Sequence, residues 1–491
     1  MRIPLIGWLN RRPAVHRTFF RGPLLVAIAM VACFGASIGP AGAAPGDDAP
    51  IQEAVSFQSH GLTLHGTVFV PRAAGGKRPG VVLVHGSGPG PRAKYVPEAE
   101  AFARAGIVAL AFDKRADGYS LMERDFDLLA DDALAGLAAL RDRPDVDPAN
   151  VGLWGLSEGG WVAPLAAAKS PDVAFLITIG ASGFDPLRTQ TWNLGNQLRH
   201  RGVSGAFRDA VARPGALLIS ETGLFPEAGY DPVPVLERLH LPVLALWGEH
   251  DTLCPPAESA AVFQRALDRA GNQHATIRFV PGAGHTGHAT TDGFDKVGGL
   301  VVDGKALGAL GPEYADVMTS WVQSVVAGRA PLSSIEPVPA QADTSVPPSS
   351  GAWYEAAAVR YAALAVLLIG FAGHPLTAWF GRREQSGPVR WPARWLSATG
   401  FVAVVATMIY LLSIFATGGQ GATGFVAGRT LPWLLLQICT CAVLLATAAT
   451  ALTWWRTRAR VGGAMRVRLT LLILAGVVFV PWALYWQLLR P

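Results

Sequence analysis

Four apolar stretches, near 356–380, 396–416, 430–453 and 469–489, fill the last part of this 491-residue chain. Each is close to the roughly 20 residues a helix needs to cross the hydrocarbon core of a bilayer. Buried core helices rarely come as four such runs in succession, so residues 353–491 read as a membrane domain with about four transmembrane helices. Composition agrees. Charged residues make up 16% of the chain and mean hydropathy is +0.31, whereas soluble globular chains carry about 25% charged residues.

The net charge of +5 is unevenly spread. Residues 1–46 carry +5, residues 351–491 carry +10, and residues 47–350 carry −10. The basic charge thus lies beside the apolar runs and the central part is acidic, which excludes a nucleic-acid binder with a basic folded face. Arg382, Arg383, Arg390 and Arg394 fill the first connection between runs, and Arg456, Arg458, Arg460, Arg466 and Arg468 the third. The second holds only Arg429. Positive-inside bias places connections one and three in the cytoplasm and the segment before the first run outside.

The N-terminus supports the same orientation. An Arg-bearing stretch ending at Arg21 precedes the apolar run Leu24–Phe34 and the small-residue pattern Ala41-Gly42-Ala43. Residues 1–43 therefore read as a signal peptide, or as an uncleaved N-terminal anchor, and either exports the residues beyond it. Of the four cysteines only Cys254 lies in the central part, which excludes an internal disulfide there, and no ligand cluster suggests zinc.

Residues 44–327 alternate short β-rich runs with amphipathic helical patterns. The runs are Val81–His85, Ile107–Phe112, Val151–Trp154, Val173–Ile179, Val243–Trp247 and Thr276–Val280. Helices are predicted over Pro97–Ala105, Asp125–Arg141, Glu158–Lys169, Pro256–Ala270 and Pro312–Val326. Such alternation gives an α/β fold, a mostly parallel sheet covered on both faces. Ile51–Val70 reads as an antiparallel pair turning near His60-Gly61, and residues 185–240, helical without a clear strand, as a cap-like insertion. Residues 328–352, with Pro337, Pro339, Pro347 and Pro348, form an extended Pro/Ser-rich linker. The acidic charge and the alternation make 44–350 read as a self-contained domain.

The strongest motif is Gly155-Leu156-Ser157-Glu158-Gly159-Gly160, between the run Val151–Trp154 and a helix. A G-x-S-x-G at a strand-to-helix turn is a nucleophile elbow. Its serine needs a base, and the base an orienting acid, in the chain order Ser, acid, His. Asp251 comes after Pro242–Trp247 and His285 after Ile277–Val280, each at a strand's carboxyl end. Glu249 competes with Asp251, which also suits a loop Asx turn, and His288 competes with His285. His285 is favoured as the first histidine after the strand, with glycines before it that suit a sharp loop. The oxyanion donors expected are the backbone N–H of Glu158 and that of Ser87, in the loop His85-Gly86-Ser87-Gly88-Pro89-Gly90. His85 is expected to shape that loop.

Residues 55–327 resemble the α/β-hydrolase superfamily, and within it bacterial esterases and peptidases related to dienelactone hydrolases and prolyl oligopeptidases. The resemblance rests on the His85–Pro89 loop, Phe112-Asp113-Lys114-Arg115, the Gly155–Gly160 elbow, Trp247–Asp251 and Pro281–His285. Ala116 departs from the glycine usual after the Asp-Lys-Arg. The resemblance implies a Ser157–His285–Asp251 triad working through an acyl-enzyme, with no cofactor and no metal.

Three functions compete. The first is hydrolysis of carboxylic esters or related acyl bonds outside the cytoplasm of a bacterial cell, by an enzyme held in the inner membrane and acting on a small-molecule or lipid-like substrate. The second is an aminopeptidase or acyl-peptidase, in which Glu221, Glu227, Asp231 or Glu237 of the insertion would receive an amine. Too few residues precede the first strand for a gating propeller. The third, a membrane sensor on a non-catalytic hydrolase scaffold, conflicts with the intact triad pattern. His374, beside Pro375, is the ionisable residue within the apolar runs, and a kink or interfacial position accounts for it.

Overall fold

A computed structural model describes residues 49–380 and 389–490, apart from positions 74, 224, 427 and 461. The expected signal peptide or anchor lies outside the described residues. Strands β1 (Ile51–Ser59), β2 (Leu62–Val70), β3 (Arg78–Val84), β4 (Val108–Phe112), β5 (Val146–Leu156), β6 (Leu176–Ile179), β7 (Val243–Gly248), β8 (Ala275–Val280) and β9 (Ser334–Ile335) form one sheet. Its order is β1-β2-β4-β3-β5-β6-β7-β8-β9. β1 and β2 pair antiparallel through the expected His60-Gly61 turn, where both residues have positive φ, and β2 meets β4 antiparallel. Every later pairing is parallel.

The parallel strands are wholly or largely buried, as apolar runs covered on both faces must be. Helices α1 (Val96–Arg104), α2 (Phe126–Arg141) and α3 (Gly159–Lys169) each come after a strand and start near their predicted positions. Asp125 caps α2, its carboxylate accepting the Leu128 N–H at 3.1 Å. One apolar cluster gathers Phe126, Leu137, Val162 and Trp247 on one face of the sheet. Another gathers Phe102, Trp154, Tyr314 and Trp321 on the other.

Between β6 and β7 the chain leaves the sheet as α4 (Pro186–His200), α5 (Ala206–Ala210), a π-turn at Val211–Gly215, α6 (Ala216–Glu221) and α7 (Val233–Leu236). This is the predicted insertion. It sits by the carboxyl ends of the strands, where the Asn196 amide donates to the Thr252 carbonyl at 3.0 Å. Helices α8 (Pro256–Arg269) and α9 (Tyr314–Val326) complete the sheet domain.

The predicted linker does not hang free. Its Ser334–Ile335 pairs parallel to β8, lengthening the sheet by one short strand. Further on, the Arg208 guanidinium donates to Asp343 at 2.9 Å, and Arg199 also pairs with that carboxylate. Arg188 Nε donates to Ser345 Oγ at 2.8 Å, and the Trp192 indole to the Asp343 carbonyl at 3.0 Å. Residues 341–345 are therefore a strap over the insertion. Proline runs disfavour regular structure without forbidding such side-chain anchoring.

Four long helices complete the chain: α10 (Ala357–Phe380), α11 (Arg390–Ala416), α12 (Leu431–Thr457) and α13 (Gly463–Tyr485). Their apolar segments have mean hydropathies of 1.6, 2.1, 2.0 and 2.1 and suffice to cross a membrane. Small residues let them approach. Gly370 lies on Ala475 and Gly400 on the Phe371 ring, so closely that a side chain at either glycine would collide.

The insertion packs on these helices. Leu194, Leu198, Val203, Phe207, Ala210 and Val211 share one buried cluster with Leu411, Ile414 and Trp433. The Phe207 ring stacks on Tyr410 at 5.3 Å and tilts against Trp433 at 4.9 Å. The Ser204 N–H donates to the Gly428 carbonyl at 2.9 Å, and Arg360 of α10 pairs with Glu221 of α6. The sheet domain and the described parts of the four helices thus make one compact unit, a closer union than the self-contained domain expected for 44–350. The sequence hid this because the apolar face of a short insertion looks the same whether it covers a sheet or a membrane domain. The connection between α11 and α12 lies against the insertion of the sheet domain, and Arg456 and Arg458 lie at the far end of α12.

Candidate active site

The motif at 155–160 folds as a tight turn between β5 and α3, and the backbone shows why glycines stand there. Side chains on Gly155, Gly159 or Gly160 would collide with the Gly159 backbone, the Val84 carbonyl and Ala181, respectively. At its apex Ser157 has φ 55°, a left-handed conformation uncommon for a residue with a side chain. The Ser157 N–H donates to the Ile179 carbonyl at 2.9 Å. That bond fixes the apex against the end of β6.

Asp251 and His285 come together from the ends of β7 and β8. The His285 Nδ1–H donates to Asp251 Oδ2 at 2.9 Å, and the two residues are 5% and 6% exposed. The other Asp251 oxygen accepts the N–H groups of Leu253 and Cys254 at 2.8 and 2.9 Å, so the carboxylate is held on both sides. His285 lies against Gly180, the residue after the Ile179 that holds Ser157, and a Cβ at Gly180 would sit 2.7 Å from the imidazole Nδ1. Its Nε2 is buried and makes no hydrogen bond among the described residues. A base needs such a free ring nitrogen to take a hydroxyl proton.

The competitors go elsewhere. Glu249 turns back to accept the Gly282 N–H at 3.0 Å. His288 Nδ1 bonds Thr286 Oγ1 at 2.8 Å, and its other nitrogen lies 3.6 Å from Glu98. Burial acts against charge on both, lifting the Glu98 carboxyl to about 8 and lowering the His288 imidazole to about 4. His85 is buried too. Burial, with Lys114 adding to it, lowers its pKa to about 3, so the neutral ring donates from Nε2 to the Phe112 carbonyl. It braces the Gly86–Gly90 loop, as the sequence suggested.

That loop passes close to Ser157, with a Cβ at Gly86 falling 3.5 Å from the Ser157 Cβ. The backbone N–H groups of Ser87 and Glu158 meet no acceptor among the described residues. A cage of side chains that sequence reading missed ties the two together. The Glu158 carboxylate, 1% exposed, accepts from Tyr119 OH at 2.9 Å and Arg124 Nη1 at 3.0 Å, and pairs with Lys114. Lys114 Nζ also donates to the Gly86 carbonyl at 2.7 Å, and Tyr119 OH accepts the Gly88 N–H at 2.8 Å. Tyr95 OH accepts the Gly86 N–H at 2.9 Å. Burial pushes the Lys114 ammonium below its ordinary range, with Glu158 opposing the shift. The available signal was Lys114 within Asp113-Lys114-Arg115, whose Arg115 makes a bidentate pair with Asp132 at 2.6 Å for each bond. Among the described residues no cluster of His, Cys, Asp and Glu could hold a metal.

A parallel sheet with crossing helices, an elbow serine and an Asp–His pair on successive strand ends define an α/β hydrolase. The fold is that of the α/β hydrolases, with a C-terminal module of four membrane-length helices. The model of the prolyl oligopeptidase family matches residues 127–297, which include Ser157, Asp251 and His285. The polyketide transferase claH of Penicillium crustosum is 30% identical over 212 residues, 39% of this chain and 66% of that protein. The thiohydrolase aneE of Aspergillus aculeatus is 32% identical over 123 residues, 24% of this chain and 38% of its own length. The chain thus spans less than two thirds of these curated relatives. Among solved structures, 2,6-dihydroxy-pseudo-oxynicotine hydrolase aligns over 58% of this chain and 72% of its own, at 18% identity and a TM-score of 0.41.

Proposed function

We propose that this protein is a membrane-anchored serine hydrolase that cleaves carboxylic esters or related acyl bonds, thioesters included, on the extracytoplasmic face of the bacterial inner membrane. The observation that carries this reading is the buried His285–Asp251 pair, 2.9 Å apart, with Nε2 unbonded among the described residues and the ring against Gly180, next to the Ile179 carbonyl that holds the Ser157 turn. Ser157 Oγ attacks the acyl carbon while His285 Nε2 takes its proton. Asp251 holds the imidazole by Nδ1 and stabilises it when charged. The N–H groups of Ser87 and Glu158 receive the oxyanion of the tetrahedral intermediate. His285 then returns the proton to the departing alcohol or thiol, and water releases the acyl group from Ser157 by the same steps in reverse.

Orientation is supported by two features. Arg390 and Arg394 at the start of α11, and Arg456, Arg458, Arg466 and Arg468 about the α12–α13 connection, stand at the helix ends away from the hydrolase, and the connection with the single Arg429 lies beside it. The peptidase reading is weaker, because three of the four acids expected to bind an amine are engaged. Glu221 pairs with Arg360, Glu237 with Arg269, and Asp231 accepts the Val233 N–H at 3.0 Å. The reading is tested by assaying the full chain in detergent on p-nitrophenyl esters, acyl thioesters and aminoacyl anilides. Ester or thioester turnover should exceed anilide turnover, and Ser157→Ala should cut it by roughly three orders of magnitude or more. Anilides as the preferred substrates would replace the esterase with the peptidase. Activity in Ser157→Ala within tenfold of wild type would remove Ser157 as the nucleophile.

A further inference from the structure

A second cavity lies away from Ser157, Asp251 and His285. It is a cleft of about 550 Å³ where the insertion meets the ends of α10 and α13 on the hydrolase side. The insertion contributes Arg213, Pro214, Leu218 and Glu221. Leu364 of α10 and Val478 of α13, each about two turns in from the end of its helix on the hydrolase side, give an apolar floor facing the depth of a bilayer. Around the rim stand Trp353, Tyr354 and Tyr485. Tryptophan and tyrosine collect at the level of lipid headgroups, where one end of the ring is apolar and the other wet.

The charges on the rim are unbalanced. Of its two acids, Glu221 is engaged by Arg360. Glu355 accepts from Ser349 Oγ at 2.9 Å, the Ser350 N–H at 2.7 Å and Ser350 Oγ at 3.0 Å. The guanidinium groups of Arg213 and Arg490 also line the cleft, and neither makes a side-chain hydrogen bond or ion pair among the described residues. An apolar floor at acyl-chain depth, an aromatic rim and a positive balance of charge, three guanidiniums against two carboxylates, match an amphiphile with a negative head.

We infer that this cleft binds an anionic bilayer phospholipid, its acyl chain along Leu364 and Val478 and its phosphate at Arg213 and Arg490. The inference does not depend on the catalytic reading, because the cleft shares no residue with the proposed triad. Because α6 and the turn before it form one wall, a bound lipid touches the same insertion that reaches the Asp251 loop through Asn196 and Thr252.

The test is native mass spectrometry of the full chain in a nonionic detergent, titrated with phosphatidylglycerol, phosphatidylcholine or glycerol 3-phosphate. Each guanidinium near an anionic lipid contributes about fivefold in affinity, so phosphatidylglycerol should be preferred over phosphatidylcholine by about 30-fold. Arg213→Gln and Arg490→Gln, both at exposed positions, should each lower that preference about fivefold, and Leu364→Trp should reduce retention of both lipids. Thermal melting checks that the variants are folded. Equal binding of the two lipids, or a preference unchanged by both arginine substitutions, overturns the inference. Displacement of phosphatidylglycerol by equimolar glycerol 3-phosphate overturns it too, by showing a site for a free anion.

Discussion

Replacing Glu158 by Gln keeps the side chain's shape and removes one negative charge. Lys114 and Arg124 face that carboxylate with side chains 4% exposed, so the loss leaves two buried cations without their counter-ion. Breaking a buried pair from one side costs about 3–5 kcal/mol, because the remaining charge stays desolvated. At about 2–4 °C per kcal/mol for a domain of this size, the midpoint should fall by at least 6 °C or so. The Glu158 N–H stays in place, so the variant should still react with a fluorophosphonate at low temperature, more slowly as Gly86 and Gly88 lose their anchor. Adding Lys114→Met should recover part of the lost stability, the two changes summing to less than their separate effects. Detergent-solubilised full chain, heated and then probed for residual labelling, gives the midpoints. A Glu158→Gln midpoint within 2 °C of wild type, or strict additivity with Lys114→Met, would refute the claim that this cage holds the oxyanion loop against the elbow.

The same geometry sets three further outcomes. Truncation after residue 350 should give a fragment that aggregates or binds detergent, because Phe207, Leu194, Leu198 and Val211 lose their cover, and size-exclusion chromatography without detergent reads this directly. Burial holds Glu98 protonated up to about 8 against an ordinary value of 4.5, so its contribution to stability falls as pH rises between those values. The midpoint of Glu98→Gln relative to wild type should therefore rise from pH 5 to pH 8. Alkaline phosphatase fused after Pro348 or Pro491 should be active, and after Arg390 or Arg460 silent; an active fusion at Arg390 contradicts the four-span topology.

Much of the fold was legible because its signals are local. The β-rich runs, the glycines of the elbow and the His60-Gly61 turn each encode their geometry within a few residues, and all the predicted strands and helices of the sheet domain formed within a few residues of expectation. Asp251 and His285 could be placed because each ends a strand, and strand ends of a parallel sheet converge on one edge. What stayed hidden depends on partners distant in the chain. Glu158 reads as the variable position of a motif until Lys114 and Arg124 are seen beside it. Phe207 reads as ordinary core until Tyr410 and Trp433 close on it. Asp343 and Ser345 lie in a segment whose composition says linker, and only the arginines of α4 and α5 turn it into a strap.

The most direct test of the central claim is mass-spectrometric mapping of a fluorophosphonate adduct on the full-length protein. The account predicts a single adduct on the peptide containing Ser157, absent in Ser157→Ala and slowed by orders of magnitude in His285→Ala. An adduct on another serine, or labelling of Ser157 at an undiminished rate without His285, would contradict it.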